Sequence, residues 1–344
     1  MKNKIFLMFT ILFITLTSCS NEEVVFDNFD YQSVYFAYQF PVRTITLGDD
    51  VFDTSMDNEH KCRIMATLGG VYSNDKNVTI DVEVANPLTT GLLFKAAGAD
   101  IVAMPSNYYT LSSDKIIISK GQITGGVEVQ LTDAFFADPL AIKNTYVIPL
   151  RMTYVMNADT ILSGKELVAN PNRAIASDWS VAPKDFIFYA IKYVNPWDGF
   201  YLRRGKDVIV GNNGNTSLNK TIVRHQAYVE KDEVFKINTL SLTNIDFPVV
   251  YKDAGGNNIN CKLILSFDEA GNCAVSSSNP GSYTATGTGK FVKKGEKNSW
   301  GSKDRDALYL DYTVNLADFN VATKDTLVLR DRGVKAETFS PVRK

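Results

Sequence analysis

Three groups of side chains in this sequence could carry chemistry: two histidines, a cluster of carboxylates and three tryptophans. His60 and His225 are far apart, and neither has the partner that a His-Glu-x-x-His zinc helix requires. No Gly-x-Ser-x-Gly elbow is present to activate a serine, and Thr286 to Phe291, TGTGKF, lacks the spacing and the closing Ser/Thr of a phosphate loop. Its glycines read as a strand bend. Asp49, Asp50, Asp53, Asp57 and Glu59 could attract calcium, but their loop lacks the central glycine and terminal glutamate spacing of a calcium hand. A solvated acidic loop is the expectation, with no metal and no cofactor. Other carboxylates are plentiful, so a hydrolase would need a pair of unfamiliar spacing.

The aromatic residues suit a different task. Flat rings cover the apolar faces of sugar rings, while amides, carboxylates, guanidinium and backbone groups take the hydroxyls. Trp300 lies in the polar loop Glu296 to Ser302, where a ring would be either exposed or folded back to plug a barrel end. Trp179 is a second candidate for sugar contact, and Tyr109 a third, because Tyr108 and Tyr109 alternate faces and at most one of them is exposed. Trp197, between Pro196 and Gly199, is expected to pack the domain junction. Arg203 and Arg204 read as strand-facing charges.

The N-terminus has a chemistry of its own. Lys2 and Lys4 precede an almost wholly apolar run, Ile5 to Leu16, the pattern of an export signal. That run is shorter than the roughly 20 residues a permanent membrane span needs. Leu16-Thr17-Ser18-Cys19 resembles the lipobox of bacterial lipoproteins, in which the cysteine thiol carries the lipid. Cys19 is thus the expected lipidation site and first mature residue, and the chain is expected to be tethered by acyl chains rather than to span the membrane. Ser20-Asn21-Glu22-Glu23 looks like the acidic tag that sends many Bacteroidetes lipoproteins to the outer face of the outer membrane.

Composition narrows the partners. Losing Lys2 and Lys4 with the signal leaves 34 basic residues against 38 acidic ones, a mildly acidic chain. That balance argues against a nucleic-acid partner. Beyond Cys19 there are three cysteines, an odd number, and Cys261 and Cys273 flank a hairpin whose turn, Asp268 to Asn272, is off-centre for a bridge between them. Free, mostly buried thiols are expected.

Helical periodicity is nearly absent after the signal. Val78 to Val84, Lys115 to Ser119, Val127 to Leu131 and Tyr146 to Met152 alternate apolar and polar residues, as strands with one buried face do. Their spacing predicts an immunoglobulin-like β-sandwich over 31–195, closed by a long strand at Phe186 to Val194. Asn195-Pro196-Trp197-Asp198-Gly199 interrupts the pattern and marks the boundary. Eight or nine locally joined strands then follow, fitting a lipocalin-like antiparallel β-barrel over 196–344, with a second sandwich as the rival. Residues 1–18 form the signal peptide and 19–30 the lipidated tether.

The strings Arg43 to Tyr72, Pro105 to Gly121 and Val129 to Pro139 resemble a Bacteroidetes domain of unknown function. That domain occurs in surface lipoproteins of polysaccharide utilisation loci and ahead of family 18 endoglycosidases. Tyr193 to Gly205, Ser266 to Ser278 and Asp325 to Gly333 are similar to a second such domain with a lipocalin-like outline. The resemblance implies a non-catalytic accessory lipoprotein that captures a glycan or oligosaccharide at the cell surface, beside an outer-membrane transporter and glycosidases of the same locus. The Asp-x-x-Asp-x-Asp-x-Glu run of those endoglycosidases does not occur here. A glycosidase with an unrecognised carboxylate pair and a structural or adhesive surface subunit are the alternative readings.

Overall fold

The computed structural model describes residues 29–344. Cys19, the signal and the acidic tag lie outside the described residues. Among the described residues the protein is all-β, with 52% in strands and 8% in helices. Among the described residues no helix is long and apolar enough to cross a membrane.

The N-terminal half is a sandwich. One sheet runs, in spatial order, Thr160–Ile161, Ser33–Tyr35, Lys61–Gly69, Thr124–Leu131 and Tyr109–Leu111. The facing sheet runs Glu337–Thr338, Pro41–Thr46, Phe186–Val194, Tyr146–Met156, Val78–Val84 and Lys115–Ile118, with Val102–Ala103 beside Tyr146–Met156. Alternation decides which residues meet between them: in Lys61–Gly69, Cys62, Ile64, Ala66 and Leu68 are buried and join Phe36, Ile45, Ile80 and Ile148 in the core. Phe186–Val194 does not alternate, because its sheet is buried on both faces. Ile187, Ile191 and Tyr193 enter the inter-sheet core, while Phe186, Phe188 and Ala190 enter a second cluster behind it.

That second cluster is roofed by the end of the chain. Residues 334–344, grouped with the barrel on sequence, leave it and return to the sandwich. Glu337–Thr338 pairs with Pro41 and Val42, Val342–Arg343 pairs with Leu92–Leu93, and Phe339 packs against Phe94 at 4.7 Å and Phe40 at 5.5 Å. Local sequence could not reveal this, since two-residue strands carry no periodicity.

The C-terminal half is an eight-stranded, antiparallel closed barrel. The strands Gly199–Gly211, Glu233–Thr239, Asn244–Lys252, Asn258–Phe267, Asn272–Ser277, Thr284–Glu296, Arg305–Asn315 and Phe319–Asp331 pair in chain order, and the last pairs with the first. Gly271 makes the expected hairpin turn at a φ of 79°. A ninth strand, Lys220–Arg224, lies along the second half of Gly199–Gly211.

The wall loosens at one seam. Glu233–Thr239 and Asn244–Lys252 share only two register pairs, Asn238 with Asp246 and Thr239 with Ile245. Pro248 supplies the reason. Its partner across the other ladder, Lys262, donates its N–H to Tyr283 Oη and accepts from that hydroxyl at its carbonyl, so Lys262 turns its backbone away from Pro248. By antiparallel geometry the missing donor of Pro248 faces Glu233–Thr239 and cannot continue that ladder.

Phe339→Ala should therefore destabilise the sandwich by about 2 kcal/mol, since it opens a cavity beneath a partly buried ring. Urea unfolding followed by separate probes in each half should move the sandwich transition and leave the barrel transition in place.

Candidate functional site

The barrel interior contains a charged cluster. Arg203 and Asp207 sit on the inner face of Gly199–Gly211, Thr323 and Asp325 on that of Phe319–Asp331, and Arg224 reaches in from the ninth strand. Arg203 donates to Asp325 Oδ2 through Nε at 3.1 Å and Nη2 at 2.7 Å, and Tyr312 Oη donates to the same oxygen at 3.1 Å. Arg224 Nη2 donates to Asp325 Oδ1 at 2.7 Å and to Asp207 Oδ1 at 2.9 Å, and Nη1 pairs with Asp207 Oδ2. Thr323 Oγ1 donates to Asp207 Oδ1 at 2.7 Å.

Two cations thus alternate with two anions, and every carboxylate oxygen is engaged. The Arg203 guanidinium lies over the rings of Phe235 and Phe247, at 4.8 and 5.5 Å. Burial opposes the charge on Arg224, but its bonds to Asp207 and Asp325 outweigh burial and hold its proton more firmly than usual. Gly205 makes the cluster possible. It pairs with Arg224 on one side and Asp325 on the other, and a Cβ there would collide with Asp325 Oδ1. With no net charge and no free acid or base, this cluster is suited to closing the barrel beside the loose seam, not to catalysis.

A more open site lies between the halves. Arg332, 5% exposed, donates through Nε to Asp198 O at 2.6 Å, through Nη1 to Leu47 O at 3.2 Å and Asp49 O at 3.1 Å, and through Nη2 to Asn195 O at 2.6 Å. One guanidinium so ties a sandwich loop, the linker and the barrel together. The linker is itself fastened: Asn195 Nδ2 donates to Ser241 O and Asn244 O, and Asp198 Oδ2 accepts from the N–H and the hydroxyl of Thr239.

Beside this latch runs a groove of about 440 Å³, within the size range of ligand sites. Thr44, Ile142 and Lys192 come from the sandwich, Asp198 from the linker, Phe200, Lys236, Asn238 and Arg332 from the barrel and its end, and Lys335 and Glu337 from the returning segment. Lys192 bonds both oxygens of Glu337, at 2.9 and 3.0 Å, and Lys236 pairs with Asp198 while its Nζ sits 4.9 Å from the Phe200 ring. Gly333, at a φ of 67°, lets the chain turn away from the barrel, and a Cβ there would come within 2.6 Å of Phe200 Cε2.

Residues 196–333 match the family described as domain of unknown function DUF5627, and residues 27–159 match a family described as an N-terminal domain. A Bacteroides ovatus protein of unknown function, known from its crystal structure, is 50% identical, with 92% of this chain and 100% of that chain covered and a TM-score of 0.87. The chain belongs to that protein's family. Two further Bacteroides structures are much less similar to this chain. One, from Bacteroides thetaiotaomicron, is described as an auxiliary nutrient binding protein, at 15% identity, TM-score 0.38 and coverage of 84% and 90%. The other, from B. ovatus, is described as a candidate carbohydrate binding protein, at 12% identity, TM-score 0.28 and coverage of 89% and 97%. Likeness that weak carries no functional argument. No curated protein matches the chain.

In this chain the aromatic residues singled out on sequence are not gathered in one place. Trp179 is buried, donates through Nε1 to Asn172 O at 2.9 Å and packs under Arg173, so it offers no open face. Tyr109 is also buried, on the edge strand beside Thr124–Leu131, where an inward position on a half-buried strand puts it in the core. Trp300 is half-buried: its Nε1 donates to Leu329 O at 3.2 Å, and the Arg305 guanidinium covers its ring at 3.3 Å. It is folded against the barrel wall. Trp197 is half-buried and stacks on Phe267 at 4.0 Å, against the barrel core. Cys62, Cys261 and Cys273 are free and buried.

The acidic loop divides by position: Asp57 is fully buried against Arg43 and the N–H of Thr46, whereas Asp49 reaches Lys293 of the barrel at 2.7 Å. Among the described residues there is no group of three or more side chains suited to a metal.

Phe200, Lys236 and Lys335 were missed on sequence. Each is unremarkable locally, and only the break at Asn195 to Gly199 and the Asp331-Arg332-Gly333 turn hinted that they converge.

Arg332→Ala, which strands four carbonyls, should cost on the order of 3 kcal/mol or more. Calorimetry should then show the halves melting at more widely separated temperatures than in the parent; unchanged melting would remove the latch from consideration. Gly205→Ala should lower barrel stability by about 1–3 kcal/mol through overpacking against Asp325.

Proposed function

We propose that this protein is a non-catalytic, lipid-anchored outer-membrane lipoprotein that captures glycans at the cell surface, and that the groove at the domain junction is where they bind. The groove carries the reading. It combines an aromatic ring, Phe200, with amide, hydroxyl and ammonium groups from Asn238, Thr44 and Lys335, the mixture that sugar rings and their hydroxyls require. Its two carboxylates, Asp198 and Glu337, are each held by a lysine, which disfavours their use as the acid and base of a glycosidase.

Lipid attachment at Cys19 and the outer-membrane location rest on the basic start, the apolar run and the Leu16-Thr17-Ser18-Cys19 motif. An outer-membrane transporter and glycosidases encoded beside it are the partners this role implies. The tether would hold the groove near the transporter, and hydrolysis would fall to the enzymes.

The purified chain on a glycan array should retain one class of oligosaccharide without cleaving it. Phe200→Ala should weaken that binding about tenfold, equal to about 1.4 kcal/mol, with the melting temperature little changed. An empty array, or release of shortened sugars, would overturn the proposal.

A further inference from the structure

We infer that the groove is built for an anionic glycan, one bearing a carboxylate or a sulfate ester, with Lys335 as the group that meets the negative charge. This rests on the groove's being the glycan site. The inference starts from a mismatch of charge. Formal net charge over the full sequence is -2, yet the groove is lined by four cations, Lys192, Lys236, Arg332 and Lys335, against two anions, Asp198 and Glu337.

The pairing within the groove deepens the imbalance. Lys192 is spent on Glu337 and Lys236 on Asp198, so both carboxylates are neutralised. A site for a neutral sugar keeps acceptors available for hydroxyl protons, and here the acceptors of greatest strength are already occupied. What remains is positive. Arg332 bonds only to backbone carbonyls, so its charge has no carboxylate partner among the described residues, and its burial limits screening by salt. Lys335 is exposed at the rim, and its ammonium has no ion-pair partner among the described residues.

The two residues differ in task. Arg332 is committed to the latch, and its five N–H donors are nearly used up by four carbonyls, so it contributes field more than contact. Lys335 has three donors on a flexible stem and lies on the segment that forms the groove's outer wall. An anionic sugar seated in the groove would have Lys335 on the lining to meet its substituent, in the field of Arg332. Carboxylate and sulfate share this chemistry, and matched probes separate them.

The test compares pairs that differ only in charge: oligogalacturonate against its carboxyl-reduced counterpart, and a sulfated galactan oligosaccharide against its desulfated one. Titration calorimetry with the whole chain should give the acidic member of at least one pair an affinity about tenfold higher, and the gap should shrink between about 50 and about 500 mM NaCl. Lys335→Glu should weaken the acidic member about tenfold more than the neutral one, and Lys335→Arg should retain the preference. Lys335 is exposed, so neither variant threatens folding.

Equal or tighter binding of the neutral members, an acidic preference indifferent to Lys335→Glu, or an array that retains neutral glycans alone would overturn the inference while leaving glycan capture standing. Failure of every glycan to bind would remove both.

Discussion

The arrangement of the two halves depends on one buried guanidinium. Arg332 faces backbone carbonyls of Leu47, Asp49, Asn195 and Asp198, oxygens from two stretches of chain far from its own. A planar fork with five donors can satisfy all of them at once, which a lysine ammonium cannot do in that geometry. Because the partners are dipoles and not carboxylates, the residue stabilises the junction without losing its charge to an ion pair. The groove inherits both effects: its walls are set by the latch and its potential comes partly from it.

The barrel handles buried charge in the opposite way. Arg203, Arg224, Asp207 and Asp325 neutralise one another, and Tyr312 and Thr323 add hydrogen bonds to the two carboxylates. A charge-balanced, largely buried cluster specifies how strands pack, at the cost of desolvating four ions. It lies where the wall needs support, since Pro248 ends one ladder early and the ninth strand brings Arg224 across. One half therefore confines its electrostatics to its own interior, and the junction projects its electrostatics outward.

Much of the architecture was legible in the sequence because strands announce themselves through alternation and turns through Gly, Asn and Asp. Phe186–Val194 was read to the residue, and the hairpin at Gly271 was found from its turn. The ends of the longest barrel strands are harder to read where polar residues face inward: Asp207 and Thr323 look like loop residues until the charged cluster explains them. The candidate site was less visible. Trp179 and Tyr109 drew attention by type, but a ring's type does not say whether its face is covered, and theirs are. Phe200, Lys236 and Lys335 come from segments more than 30 residues apart, and only the closed barrel and the latch bring them together.

The returning end of the chain sets a timetable for synthesis. Glu337–Thr338 forms an edge of the sandwich sheet, and Phe339 covers the cluster around Phe188. The ribosome makes these residues only after the whole barrel. Nascent sandwich therefore waits with one apolar face bare while about 150 further residues are added at roughly 5–20 per second. The sandwich cannot finish folding until the segment that follows the barrel has emerged.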